Sequence, residues 1–212
     1  MDDATSVPPH AVTSAAELRE IFGSPSALAA VKVIPALDAH CRNFIALSPF
    51  LVIASTSRDG RADASPKGDP PGFVKVLDDR TLAIPDRLGN NRIDTFLNVV
   101  ENPEIGLIFF VPGVEETLRV NGRAVISRDP TLLSRMVEQG KTPKVALVVS
   151  VREAYLHCAK ALKRSRLWDP AAKVPRTALP SLARMILDQA KRDDPVEEVE
   201  ARIEDAYRTK LY

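Results

Sequence analysis

The sequence is poor in the residues that build disulfide frameworks and metal sites. Its 212 residues include two cysteines, Cys41 and Cys158, and three histidines, His10, His40 and His157. The cysteines lie far apart without ligand-like spacing, which excludes a disulfide framework and fits a reduced cytosolic compartment. The histidines are scattered and form no metal-binding motif. We therefore expect no metal centre.

The chain also lacks a long apolar run and an excess of charge. No stretch approaches the roughly 18–20 apolar residues that a membrane-spanning helix needs. The first ten residues are acidic and contain proline, unlike a signal peptide. The formal net charge is +1, so no overall field attracts nucleic acid or a membrane surface. We expect a soluble, cytoplasmic protein.

Several catalytic motifs are absent. The sequence has no GxxxxGK phosphate loop, no GxGxxG after a strand, no HExxH and no GxSxG elbow. These absences argue against nucleotide triphosphate hydrolysis, a dinucleotide-binding βαβ unit, zinc proteolysis and a serine hydrolase triad. An anion site, if present, must be a local cluster of basic side chains and backbone amides.

The apolar pattern predicts one α+β domain with helices at both ends. Short β-rich runs such as Phe50–Thr56 are joined by turn signals, without regular alternation of strands and helices. This favours an antiparallel barrel or sandwich of six to seven strands. We expect an N-terminal tail with short helices over residues 1–34, the main domain over 35–170, and a C-terminal helical extension over 171–212.

Helix signals occur at several positions. Ser14 with Glu17, and Asp194 with Glu197, have the spacing of capping boxes. We expect helices over residues 92–100, 155–164, 177–192 and 195–207. In the first of these, Ile93, Phe96 and Leu97 lie on one side.

One polar cluster lies on a predicted strand. Alternation places Arg61, Asp63, Ser65 and Lys67 on one face, with small alanines on the other. Ser65 and Lys67 can both donate to one anion. A solvent-exposed hairpin strand explains the same pattern equally well.

A second polar cluster precedes the helix predicted over residues 92–100. Arg87, Asn90, Asn91 and Arg92 offer side-chain donors, and the helix start adds free backbone N–H groups. Together these groups predict a phosphate pocket. An ordinary loop in which Asn91 caps the helix is the alternative, and it is compatible with phosphate binding.

A third basic run, with Lys163, Arg164 and Arg166, precedes the one tryptophan, Trp168. Such a run is typical of a solvated helix end. It could also present a guanidinium and a planar ring to an aromatic ligand.

The order of these features resembles the pyridoxamine 5′-phosphate oxidase-like FMN-binding split barrels, over roughly residues 30–170. The shared features are the strand–turn–strand at 50–67, the loop at 84–92 with its helix, Glu-Asn-Pro at 101–103, the apolar strand and Leu-Arg-Val-Asn-Gly-Arg at 118–123. More narrowly, residues 63–69 with the distant 164–168 resemble a bacterial branch of that superfamily.

The resemblance implies a homodimer with two FMN sites at the subunit interface. It places Ser65 and Lys67 beside the flavin phosphate or ribityl chain, and Asn91 and Arg92 among the phosphate donors, with Arg87 next. Arg164 and Trp168 would come from the partner subunit or close the ring pocket. The remaining candidates for cofactor binding are Arg61, Asp63 and Asn90.

The resemblance also implies an FMN-dependent oxidoreductase that moves hydride or electrons between FMN and a small molecule or nicotinamide. The chain departs from the oxidase itself because it ends in a charged helix where the oxidase has a substrate-binding Arg-Leu motif. The vitamin B6 substrate is therefore not carried over. Two alternatives stay open: a non-catalytic FMN-binding or flavin-sensing protein, and a split barrel that binds haem or a deazaflavin. His157 is the candidate haem ligand, although a structural role fits it better.

Overall fold

A computed structural model of the chain describes residues 8–212, and its contacts divide them into two compact units, 8–33 and 34–212. The smaller unit contains two helices without buried residues, α1 (Ala15–Phe22) and α2 (Ala27–Val31). The Glu17 amide donates to Ser14 Oγ, as the expected capping box requires. Residues 1–7 of the N-terminal tail expected from the sequence lie outside the described residues.

The larger unit is built on a seven-stranded sheet in which every pair of neighbours is antiparallel. The strands are β1 (Phe50–Thr56), β2 (Ala62–Gly68), β3 (Lys75–Val76), β4 (Thr81–Pro85), β5 (Glu104–Phe110), β6 (Thr117–Ser127) and β7 (Ala146–His157). Their spatial order is β2-β1-β5-β6-β7-β4-β3. The α+β class and the strand number expected from the sequence are confirmed.

Six α-helices decorate this sheet within the described residues. They are α3 (Ala39–Leu47), α4 (Asp94–Glu101), α5 (Pro130–Ser134), α6 (Lys160–Ser165), α7 (Leu182–Ala190) and α8 (Val196–Thr209). Two short 3₁₀ turns, Pro170–Ala172 and Arg176–Ala178, lie between α6 and α7. In residues 8–212 no helix is both long and apolar enough to cross a membrane.

The core follows the period-2 pattern of the strands. Leu51 and Ile53 of β1, Leu107 and Phe109 of β5, and Val120 of β6 are fully or almost fully buried in one cluster. Alternate residues of these strands face away, as a pleated strand requires. Each large apolar side chain buried in this way contributes about 1.5–3 kcal/mol. The strand pattern in the sequence is therefore also the pattern of the core.

The sheet curls so that segments far apart in strand order come together. β2 lies at one edge, five positions from β4. Yet Asp69, directly after β2, accepts from Arg87 Nε at 2.6 Å, and Lys67 Nζ lies 4.0 Å from Asp86 Oδ1 in the loop after β4. Sheet curvature thus brings the two polar clusters predicted from the sequence to the same place.

Two expected helix boundaries and one expected helix cap are wrong. Residues 155–157 continue β7 because they pair with β6, with Arg119 opposite Tyr155. The helix expected over 177–192 begins only at Leu182, where Ser181 caps it after Pro180. The second capping box does not form: helix α8 starts without a side-chain cap, because Asp194 instead pairs with Arg192.

Candidate functional site

The larger unit contains an open cavity of about 730 Å³ where β2 meets the loop after β4. Its lining residues come from β2, the loop and start of α4, and the loop before β7: residues 63–67, 86–96 and 141–145, with Ile126 and Tyr212. This is the place where the two sequence clusters meet. The cavity is therefore the candidate ligand site.

One wall is strand β2. Asp63, Ser65 and Lys67 are half-buried and line the cavity, while Ala62 and Ala64 are more exposed, so the predicted alternation is present. The Lys67 ammonium lies 5.6 Å from the ring centre of Phe96, within cation–π range. The Asp63 carboxylate accepts from Thr95 Oγ1 at 3.3 Å. These contacts join β2 to the first turn of α4.

The opposite wall is the loop that leads into α4. Asn90 Oδ1 accepts from the Arg92 amide at 3.0 Å, and Arg92 Nε donates to Asp94 at 2.8 Å. Asn91 adopts φ 59° and does not cap the helix, so the alternative cap predicted for it is wrong. The N-cap is Ile93 at φ 53°, without a side-chain cap.

The backbone of this loop is strained at the cavity. Ile93 is β-branched, and a left-handed conformation is rare and costly for such a residue. The first turn of α4 retains backbone N–H groups that no side chain caps. Strained backbone of this kind persists where surrounding contacts enforce it, which is common at binding sites.

The electrostatics of the cavity favour an anion. Five basic side chains line it, against three carboxylates. The basic residues are Lys67, Arg87, Arg92, Lys141 and Lys144, and the acidic ones are Asp63, Asp86 and Asp94. Burial raises the pKa of the Asp86 carboxyl, while the charges of Lys67 and Lys144 oppose that rise. The excess of basic groups leaves the cavity ready for a ligand with negative charge.

Three of the sequence candidates do not line this cavity. Arg61 precedes β2, is strongly exposed and pairs with Asp59 at 2.9 Å. Arg164 is exposed on α6, and Trp168 Nε1 donates to the Val114 carbonyl at 2.8 Å. The other seven candidates, Asp63, Ser65, Lys67, Arg87, Asn90, Asn91 and Arg92, all line the cavity.

Sequence reasoning missed part of the lining. The loop at 141–145 supplies Lys141 and Lys144, whose position directly before an apolar strand was a usable signal. Tyr212, which follows α8, also lines the cavity, and no local sequence pattern predicts that position. Within the described residues, no cluster of His, Cys, Asp and Glu could hold a metal ion.

A family model described as pyridoxamine 5′-phosphate oxidase matches residues 37–158, more than half of the chain. The chain belongs to this family. The antiparallel seven-stranded sheet with its helices is the split-barrel fold of the pyridoxamine 5′-phosphate oxidase family, as the sequence resemblance implied. A search of curated proteins gave no match.

Several solved structures are similar to this chain at low sequence identity. HupZ from Group A Streptococcus is 16% identical with a TM-score of 0.46, over 56% of this chain and 92% of that one. General stress protein 26 from Bacillus anthracis is 15% identical with a TM-score of 0.42, over 54% and 88%. An FMN-binding protein from Syntrophomonas wolfei is 14% identical with a TM-score of 0.42, over 55% and 80%.

Proposed function

We propose that the cavity binds FMN and that the protein is an FMN-dependent oxidoreductase of a small molecule or nicotinamide. The observation that carries the proposal is the meeting of Ser65 and Lys67 with the donor loop at residues 87–92, in a cavity of about 730 Å³. That volume lies within the range of cofactor pockets, roughly 300–1,000 Å³. Membership of the family supports flavin as the ligand.

The chain's own residues have separable tasks in this proposal. Lys67 and Arg92 supply charge-assisted donors to the phosphate, together with the uncapped amides at the start of α4. Ser65 would donate to the phosphate or the ribityl chain. When bound, FMN would accept a hydride from one substrate and pass its electrons to a second acceptor. No lining side chain is required as a general base, because hydride transfer needs none.

A homodimer is part of the proposal, supported by the outer face of α4. Phe96 packs against the core, whereas Ile93, Leu97 and Val100 are half or more exposed and follow one another at helical spacing. An apolar stripe beside the cavity suits a subunit interface. In such a dimer, Arg164 and Trp168 would reach a flavin only from the partner subunit.

Haem is a weaker candidate for this cavity. None of the lining residues is His, Cys or Met, and the phenol of Tyr212 is already hydrogen-bonded to Asp69. His157 is exposed at the end of β7 and does not line the cavity. The residues present thus offer donors for an anion and no free axial ligand for an iron.

The test is a spectrum of the purified protein. We expect a yellow protein with about one FMN per chain, and a mass by light scattering near twice 23.2 kDa. Anaerobic bleaching by NADH, NADPH or a small-molecule reductant would support the oxidoreductase. Flavin that no reductant bleaches would favour the non-catalytic flavin protein. A colourless protein that takes up no added FMN would contradict the proposal.

Arg92→Ala should weaken FMN binding by about 1.5–3 kcal/mol, the value of a hydrogen bond to a charged group. Arg92 is strongly exposed and its ion pair is with Asp94, so folding should change little. The measurement is a fluorescence titration with FMN. Arg208→Ala is the matched control, since Arg208 is equally exposed and pairs with Asp205 on α8. Unchanged affinity in Arg92→Ala would reject this placement of the phosphate.

A further inference from the structure

Tyr212 connects the segment after α8 to the wall of the cavity. Its hydroxyl donates to Asp69 Oδ1 at 2.6 Å across 143 positions of sequence. Its ring lies under the Arg87 guanidinium, with the Arg87 Cζ atom 5.5 Å from the ring centre. The other oxygen of Asp69 accepts from Arg87 Nε at 2.6 Å. Asp69 therefore links Tyr212 and Arg87 in one network.

The network is built around a buried charge. The side chain of Asp69 is 1% exposed and that of Arg87 is 17% exposed. A carboxylate with so little water depends on its protein partners, and each of its two oxygens has one. Tyr212 and Arg87 thus hold the carboxylate from two sides. If either partner is lost, one oxygen of this buried carboxylate loses its side-chain hydrogen bond.

The geometry leaves part of Arg87 available to a ligand. Its Nε is committed to Asp69, while in residues 8–212 its two terminal nitrogens have no hydrogen-bond partner. Arg87 is the first residue of the donor loop and lines the cavity together with Lys67. The ring of Tyr212 stacks on the guanidinium, which limits its rotation. The terminal N–H groups are therefore held in a fixed direction rather than free to sample many.

We propose that the segment after α8 is a strap over the cavity, and that Tyr212 acts through Asp69 as a positioning residue for Arg87 and so for the phosphate of the ligand. This inference rests on the proposed FMN function and adds to it. It gives the C-terminal helices a task in binding. It also predicts that phosphate recognition depends on a residue outside the split-barrel core.

The hydroxyl of Tyr212 remains a donor across the working pH range. Its hydrogen bond to Asp69 raises the pKa of the phenol to about 12. Because this folded-state pKa is raised, the contribution of the contact is complete below the ordinary phenol pKa and is lost as the pH rises through about 12. At neutral pH the hydrogen bond from Tyr212 to Asp69 is therefore present.

The experiment compares FMN with riboflavin, which lacks the phosphate, in the full chain and in Tyr212→Phe. The substitution keeps the ring and removes only the hydroxyl. We expect the Kd of FMN to rise about tenfold, as for one hydrogen bond to a charged group, with riboflavin affinity almost unchanged. Tyr207→Phe is the matched control, since Tyr207 lies exposed on α8. It should leave both affinities as they are.

The outcomes separate this inference from the proposed function. If the wild type binds FMN and Tyr212→Phe keeps the same preference for FMN over riboflavin, the strap is overturned and the proposed function is not. An equal loss of both ligands would also overturn it, because a general structural role predicts no phosphate selectivity. A wild type that binds neither flavin would remove the proposed function first and the strap with it.

Discussion

Arg87→Ala should lower the free energy of unfolding by about 3 kcal/mol and raise the Kd of FMN at least about tenfold. Among residues 8–212, the substitution leaves the Asp69 carboxylate, 1% exposed, with only the Tyr212 hydroxyl as a side-chain partner. Removing one partner of a buried ion pair is costly because the other charge stays buried. The estimate lies at the low end of the usual range since Arg87 retains some contact with water.

Urea unfolding and FMN titration on the same variant measure the two effects. Arg184→Ala is the control, because Arg184 forms an exposed ion pair with Asp188 on α7. Exposed pairs of this kind contribute at most about 1 kcal/mol. An Arg87→Ala protein as stable as the control would show that Asp69 finds another partner. Normal stability with weakened FMN would assign Arg87 to the ligand alone.

Gly122→Ala should destabilise the fold by about 3 kcal/mol, the upper end for forcing extra atoms into a packed site. A Cβ at this position would lie 2.2 Å from the Ser150 carbonyl oxygen and 3.2 Å from Val151 Cα. Both are backbone atoms of β7, so no side-chain rotation relieves the clash. The register between β6 and β7 shifts at this point, leaving Arg152 as the extra residue of a bulge.

Thermal and urea unfolding test this prediction. Gly89→Ala is the matched control, since nothing lies within 4 Å of a Cβ built there. We expect its stability to change by less than about 0.5 kcal/mol. Because β6 and β7 form the centre of the sheet, Gly122→Ala should lower the unfolding midpoint without changing FMN affinity in the fraction that folds. A stable Gly122→Ala protein would mean that the bulge can move along the strands.

The sequence predicted most of the candidate site because two of its clusters are local. The period-2 pattern of residues 61–67 places Asp63, Ser65 and Lys67 on one face, and all three line the cavity. The polar loop before α4 likewise lies on the opposite wall. Arg61 does not line the cavity because β2 begins only at Ala62, so the alternation does not extend to Arg61. The position at which the strand begins therefore decided which of the four residues line the cavity.

Helix starts were harder to predict. The expected caps at Asn91 and Asp194 do not form, since Asn91 takes a left-handed conformation and Asp194 pairs with Arg192. Residues 155–157 were expected to be helical, yet pairing with β6 keeps them in the sheet. For Asp194 and residues 155–157 a neighbouring contact outweighed the local signal, because cap and propensity contributions are only about 1 kcal/mol each.

The sequence alone determined the α+β class, the strand alternation and the two donor clusters, because these depend on spacing along the chain. The tertiary structure decided which distant segments meet. The curled sheet brings β2 against the loop after β4, where Arg87 forms an ion pair with Asp69. It also carries Tyr212 to a residue 143 positions away. Such contacts depend on sheet curvature and helix packing, which no local pattern encodes.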